Sequence, residues 1–376
     1  MTYVFYTNDD FVHNPHSGGV KRFKELICGL LETGERIHLF IPPAADIPDY
    51  PNLKRYPLKR KDSRFLPNGL LNLVCNYKKL RSIRKISADR VVFISIPYAI
   101  QGILAGIRNF TLIAREDFIA YRKLRYEQSR LPRFWISLII WILHKTEGQA
   151  LKHADRIIMQ CAWDKNNTLK RHKKHKKRLE PRIHILYNNV NPGWIQAEAP
   201  EKVPGHADHV APYDLAFIGT INHRRKGLHL LLDAAKELIN QGYSIKLHIM
   251  GDGKLRRFYQ NACADYPEIV FHGYVEHPMA ILAKMDLLVV PSLSDSFPNT
   301  IMEALFLEIP VLGTRIGGIP EMLLYDELLV EPENKAIFNK IADTIDQNKW
   351  QSLNDLARKR KQALNFDWVA KMSQLI

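Results

Sequence analysis

The chain has 376 residues, of which 46% are hydrophobic and 25% charged. That length fits about two domains, and that composition excludes a disordered, collagen-like or disulfide-stapled chain. The formal net charge of +15 favours polyanions, whether phosphorylated ligands, an anionic membrane face or nucleic acid.

The first residues, MTYVFYTNDDF, have neither the basic start nor the apolar core of a secretory signal. Tyr3–Thr7 reads as a strand, and a polar loop after it ends in Gly18-Gly19. Val20–Leu31 places apolar residues at helical spacing and Gly34 closes that helix. Ile37–Ile41, Val91–Ile96, Phe110–Ala114, Arg156–Gln160 and Ile183–Leu186 follow as strands. The stretch from Pro192 to Pro212 is rich in proline and glycine and reads as a linker. Five more strands are predicted beyond it, at Asp214–Gly219, Ser244–Met250, Glu268–Gly273, Asp286–Pro291 and Ile309–Thr314. Short apolar runs alternating with amphipathic ones predict an α/β fold built on parallel sheets. The expected division is an N-terminal domain over 1–195, a linker over 196–212, a C-terminal domain over 213–362, and a helix over 363–376 that packs back on the first domain.

The cysteines Cys28, Cys75, Cys161 and Cys263 show no paired spacing and read as buried thiols in a reducing compartment. The basic residues are clumped at Leu58–Arg64, Tyr77–Lys85 and Lys170–Arg178, all in the first half. The run Lys170–Arg178 reads as a solvated face. No histidine pairs at metal spacing with a second ligand set, so no metal is expected. Arg122–Leu143, RKLRYEQSRLPRFWISLIIWIL, fits two readings equally. One is an interfacial helix on anionic lipid; the other is a core helix. Its apolar run is too short for the roughly 20 residues that span a bilayer. The expected location is cytoplasmic, with peripheral attachment to the inner face of the membrane as the second option.

The most informative segment is Pro291–Glu321, PSLSDSFPNTIMEALFLEIPVLGTRIGGIPE. A strand ends at Pro291, a polar loop carries Asp295, and Pro298 sits where a helix begins and its missing N–H costs nothing. The helix Asn299–Leu307 then turns its first N–H groups, around Pro298–Ile301, toward the crevice beyond the strand ends, where anions bind. Asp295 and Glu303 lie eight residues apart, and carboxylates there accept hydrogen bonds from vicinal hydroxyls.

This segment resembles the family-4 retaining glycosyltransferases, whose hallmark is a pair of acids eight apart in a P-S-x-x-E-G-F-P-x-x-x-x-E-A context. Asp295, Phe297, Pro298, Glu303 and Ala304 occupy that pattern, and Pro310, Val311, Gly317, Gly318, Pro320 and Glu321 its continuation. The resemblance implies the GT-B architecture, two Rossmann-like domains facing across a cleft. It implies transfer of a sugar, with retention, from a nucleoside-diphosphate sugar to an acceptor hydroxyl of a saccharide or lipid-linked acceptor, without a cofactor. By resemblance Asp295 contacts the donor sugar, Glu303 the ribose, and Lys226, in Phe217–Leu238, the diphosphate. Where the family places an arginine this chain has Thr220, and Arg224 or Arg225 supplies the charge. Asn299 and Thr300 at the helix start complete the leaving-group site. Gly251, in a G-x-G turn, and Tyr274, beside the base or else in the core, resemble further donor-site elements. Gly18 and Gly19 match a glycine pair that lets backbone approach phosphate. Lys152–Lys165 and Tyr187–Trp194 are fold markers of the first domain. In Leu112–Phe118 the family's histidine is replaced by Glu116, followed by Asp117. These acids either position the acceptor or serve as cap and ion-pair partners.

The departures at Thr220, Asp295, Ser296 and Glu116 keep two rivals open: a non-catalytic saccharide- or polyanion-binding protein, and a nucleotide-sugar epimerase. Nucleic acid is not expected as a partner, since no recognition motif accompanies the charge.

Overall fold

The computed structural model describes residues 1–8, 18–43, 47–60, 68–127, 131–189, 195 and 212–376. The chain forms two compact units, Met1–Tyr187 with Asp367–Ile376, and Asn188–Phe366.

The first unit is a parallel sheet of β1 (Thr2–Tyr6), β2 (Arg36–Ile41), β3 (Leu53–Pro57), β4 (Arg90–Ile94), β5 (Phe110–Ala114), β6 (Ala154–Met159) and β7 (Ile183–Ile185), in the order β3-β2-β1-β4-β5-β6-β7. Its helices are α1 (Gly18–Glu32), α2 (Asn68–Ser82), α3 (Ile96–Leu104), α4 (Phe118–Glu127), α5 (Arg133–His153), α6 (Ala162–Arg171) and α7 (Lys176–Leu179). Helices cover both faces of such a sheet, so the central strands need apolar residues at consecutive positions. Phe110–Ala114 is buried at every position. The sequence reading misses β3, LKRYP, because an edge strand buries little and here carries two cations.

The second unit is a parallel sheet of β8 (Tyr213–Ile218), β9 (Ile245–Met250), β10 (Ile269–Gly273), β11 (Leu287–Val290), β12 (Val311–Thr314) and the two-residue β13 (Leu329–Val330), in the order β10-β9-β8-β11-β12-β13. Its helices are α8 (Leu228–Asn240), α9 (Arg256–Ala262), α10 (Pro278–Leu282), α11 (Asn299–Phe306), α12 (Ile319–Leu323), α13 (Asn334–Asp346) and α14 (Trp350–Leu364).

The boundary lies earlier than the sequence reading has it. The buried Asn188 and Asn189 side chains bond within the second unit, Asn188 to the Asn299 side chain at 3.4 Å and Asn189 to the Phe366 carbonyl. The expected linker over 196–212 lies outside the described residues except for Pro212, as do the loop 9–17 and Val190–Trp194. The expected C-terminal helix also starts later than 363, because α14 continues to Leu364. Helix α15 (Trp368–Leu375) is capped by Asp367, which accepts the Ala370 N–H at 2.8 Å. It belongs to the first unit. A Cβ on Gly29 of α1 would lie 2.6 Å from Val369, and the Arg22 guanidinium sits 5.0 Å over the Trp368 ring.

Cys161 and Cys263 are buried, whereas Cys28 and Cys75 are only half-buried, and none of the four forms a disulfide. Among the described residues no helix is long and apolar enough to cross a membrane.

Candidate functional site

In the second sheet the strand order runs outward in opposite directions from β8 and β11. Connections leaving the carboxyl ends of such a pair diverge to opposite faces and open a crevice, the usual ligand position in an open α/β sheet. The candidate residues sit on these two connections, Arg224–Gly227 after β8 and Pro291–Pro298 after β11.

The two connections are joined through backbone. Gly227 has φ +69°, and a Cβ there would overlap the Pro291 carbonyl oxygen, so both conformation and space require glycine. The Leu293 N–H donates to the Arg225 carbonyl at 2.8 Å, and the Arg225 guanidinium donates to the Ser294 carbonyl at 2.9 Å. This brings the Lys226 ammonium to the Asp295 carboxylate at 2.6 Å, with Arg225 at 3.8 Å and the Ser292 hydroxyl at 3.4 Å. Burial by itself pushes the Asp295 carboxyl upward. Lys226 and then Arg225 outweigh it and hold the group below its ordinary value. Asp295 is therefore an ionised acceptor beside two cations. The downstream glycines act on the same residue. Gly317, at φ +61°, packs so closely on Asp295 backbone that a Cβ would overlap its carbonyl oxygen, which also accepts the Gly318 N–H at 3.2 Å.

Helix α11 begins directly after Pro298. Ile301, Met302, Ala304 and Leu305 are buried, while Asn299, Thr300 and Glu303 remain half-buried. Asn299 and Thr300 lie four and three residues before Glu303, so each neighbours it on the helix surface. Phe297 is buried, so its ring anchors the loop and any ligand contact from it falls to backbone. Of the two arginines, Arg225 reaches Asp295; Arg224 is exposed and interacts with Tyr259 and His229. The role of Gly251 is close approach more than turn conformation. Its N–H donates to the Gly273 carbonyl at 2.8 Å, and a Cβ would overlap the Gly219 carbonyl oxygen. Tyr274 is 61% exposed, which rules out the core-packing alternative.

The candidates of the first unit are arranged within that unit. Gly18 and Gly19 form the first turn of α1, where the sequence reading has them in the preceding loop. The Arg115 guanidinium lies over Gly19, where a Cβ would come within 2.6 Å. Arg115 is a cation that the sequence reading misses, although it directly precedes Glu116. Asp117 proves to be a cap and ion-pair partner: it accepts the Ala120 N–H at 3.0 Å, Arg171 at 2.8 Å and Asn167 at 3.2 Å. Glu116 is the exposed member of the pair.

The basic run is only partly a solvated face. Lys173–Arg178 is exposed, but Arg171 and His172 turn inward to Glu147, a buried carboxylate on α5, at 2.9 Å each. His144, Glu147 and His172 bring ligand-type atoms within 4.8 Å of one another, a grouping that sequence spacing does not reveal. Arg171 occupies both Glu147 oxygens, so the carboxylate is already neutralised by a cation of the chain itself.

Residues 212–347 match the model of the family described as glycosyl transferases group 1. The chain is 27% identical over 156 residues to the capsular polysaccharide biosynthesis glycosyltransferase CapM of Staphylococcus aureus, an alignment covering 39% of this chain and 40% of that one. The chain spans about half the length, or less, of the curated relatives it matches. Among solved structures, sucrose-phosphate synthase from Thermosynechococcus elongatus superposes with a TM-score of 0.74 at 20% identity, over 100% of this chain and 97% of that one. Anabaena HepE in complex with UDP-glucose superposes with a TM-score of 0.64 at 16% identity, over 100% and 98%. These structural likenesses establish the fold. The stretch that builds the β8–β11 crevice thus lies within the part of the chain that matches the glycosyl transferases group 1, and the two-sheet α/β fold is the one these solved structures share.

Proposed function

We propose that the chain is a retaining hexosyltransferase that moves a sugar from a nucleoside-diphosphate donor to an acceptor hydroxyl in cell-envelope or lipid-linked polysaccharide assembly. The envelope role follows the capsular role named for CapM. The observation that carries the reading is the Lys226–Asp295 pair at the switch point, with Glu303 on the helix that follows. Lys226, Arg225 and the first N–H groups of α11 provide the positive potential that a diphosphate needs, both bound and as a leaving group. In this reading they make a metal unnecessary. A bound diphosphate draws Lys226 from Asp295, whose ionised carboxylate then accepts from sugar hydroxyls and stabilises charge developing at the anomeric carbon. Glu303, one face-turn along α11, accepts from the ribose. The bond from the anomeric carbon to the diphosphate oxygen breaks, and the bond to the acceptor oxygen forms on the same face. The acceptor proton passes to the departing diphosphate.

The test is thermal stabilisation by UDP-, GDP-, ADP- and dTDP-sugars, on wild type and Glu303→Ala. A donor at a hundred times its Kd stabilises by about 2.7 kcal/mol, a rise of roughly 5–10 °C for a unit of this size. One donor should give that shift, and Glu303→Ala should abolish it. Folded protein that responds to no donor overturns the reading.

A further inference from the structure

Of Arg122–Leu143, the first residues lie on α4, 128–130 fall outside the described residues, and the apolar part lies on α5, which has two faces. Its inner stripe, Ile140, Leu143, Glu147, Ala150 and Leu151, packs onto the first unit's core. Its outer stripe carries Phe134, Trp135, Trp141 and Ile142, which are 72%, 52%, 58% and 48% exposed. These positions recur at one, seven and eight residues from Phe134, on one side of the helix. Three of them are large aromatics, and Trp141 has the Lys145 ammonium 5.6 Å over its ring. A soluble surface rarely leaves so much contiguous aromatic area open without a use.

The charge around this stripe identifies its partner. Helix α3 packs between α2 and α5, so the three form one layer on the sheet. Across them the sequence has a single carboxylate, Glu147, which is buried and paired with Arg171. The exposed charges are all cationic: Lys78 and Arg81 on α2, Arg84 and Lys85 just after it, Arg133 and Lys145 on α5. The exposed Lys173–Arg178 run adjoins the last turn of α5, where Arg178 donates to the Lys152 carbonyl at 3.4 Å. Exposed Val74 and Tyr77 on α2 add apolar area within the same layer. An apolar aromatic stripe on a layer of three helices whose described residues carry exposed cations and no exposed acid matches an anionic lipid surface, where tryptophan sits at headgroup depth and lysine and arginine meet phosphate. A second copy of the chain would bring the same cations face to face, which opposes self-association.

We infer that the outer face of α5, flanked by the cations of α2 and the Lys173–Arg178 run, docks the chain on an anionic lipid bilayer, with Phe134, Trp135 and Trp141 inserted at the headgroup level. This assignment is independent of the donor-site reading.

The experiment is co-sedimentation of the full chain with phosphatidylcholine vesicles, pure or with about one-third phosphatidylglycerol, for wild type and Trp135→Ser/Trp141→Ser. Wild type should bind the anionic vesicles and not the neutral ones, and binding should weaken several-fold as salt rises from about 0.1 to 0.5 M. The double variant should lose at least about tenfold in partitioning with an unchanged melting temperature, since both side chains are exposed. Brominated anionic lipid should quench wild-type tryptophan fluorescence, a direct reading of insertion that needs no variant. Equal binding of wild type and variant, absence of quenching, or unfolding of the variant would overturn the proposal. A wild-type dimer that the variant converts to monomer would assign the face to a second copy. Oligonucleotide binding lost in parallel would assign it to nucleic acid, and either result overturns the lipid assignment.

Discussion

The Lys226–Asp295 pair offers a quantitative test of how the crevice is held together. The side chains are 19% and 12% exposed and meet at 2.6 Å. At an effective dielectric of 20 the bare attraction is about 6 kcal/mol. Desolvation of both groups offsets most of it, leaving a coupling of about 1.5–3 kcal/mol. Lys226→Met leaves Asp295 with Arg225 and Ser292, and Asp295→Asn leaves Lys226 without its carboxylate, so each single change should cost about 2 kcal/mol. The double variant should be more stable than the sum of the singles implies, by that coupling. The assay is urea unfolding of all four proteins, repeated across pH. The Asp295 carboxyl is held below its ordinary value, so its contribution is fully present above the unfolded value near pH 4 and is lost as pH falls through the lower folded value. The coupling should therefore be constant from about pH 5 to 8 and vanish in stronger acid. Additive single effects at pH 7, within about 0.5 kcal/mol, would refute the pairing.

Gly227→Ala should be among the most damaging small substitutions in the second unit. The left-handed backbone costs about 1–2 kcal/mol with a Cβ, and the overlap with Pro291 forces the Lys226 and Asp295 connections apart. A total loss of about 2–4 kcal/mol in urea unfolding is expected, and wild-type stability would mean the connections do not abut. Glu147→Ala should cost the first unit about 3 kcal/mol by leaving Arg171 with one carboxylate, Asp117, in place of two. Differential scanning calorimetry reads this, and a neutral result would show that the network contributes little.

The crevice is legible in the sequence because its geometry is local. Asp295, Pro298, Asn299 and Glu303 are set by one loop and one helix, and strand alternation locates both. The partner of Asp295 is not legible, since Lys226 lies 69 positions away and becomes a neighbour only through the order that sets β8 beside β11. The choice between Arg224 and Arg225 turns on a side-chain direction that no pattern encodes. Glu147, Arg171 and Asp117 are separated by 24 and 54 positions, so a run read as solvated proves structural at Arg171 and His172. Edge strands fade for another reason: β3 buries little, so hydrophobic periodicity has nothing to mark.

The placement of α15 bears on how the chain is made. The second unit is continuous, and all of its strands are available once Phe366 has been synthesised. The first unit, although most of it emerges earlier, still lacks the helix that fills the groove at Gly29 and supplies Trp368 to Arg22. Domains fold as units during translation, so the later-made unit can finish folding while the earlier one waits for its closing piece. Removing α15 would accordingly destabilise the amino-terminal unit and leave the carboxyl-terminal one, to which the helix does not belong, undisturbed.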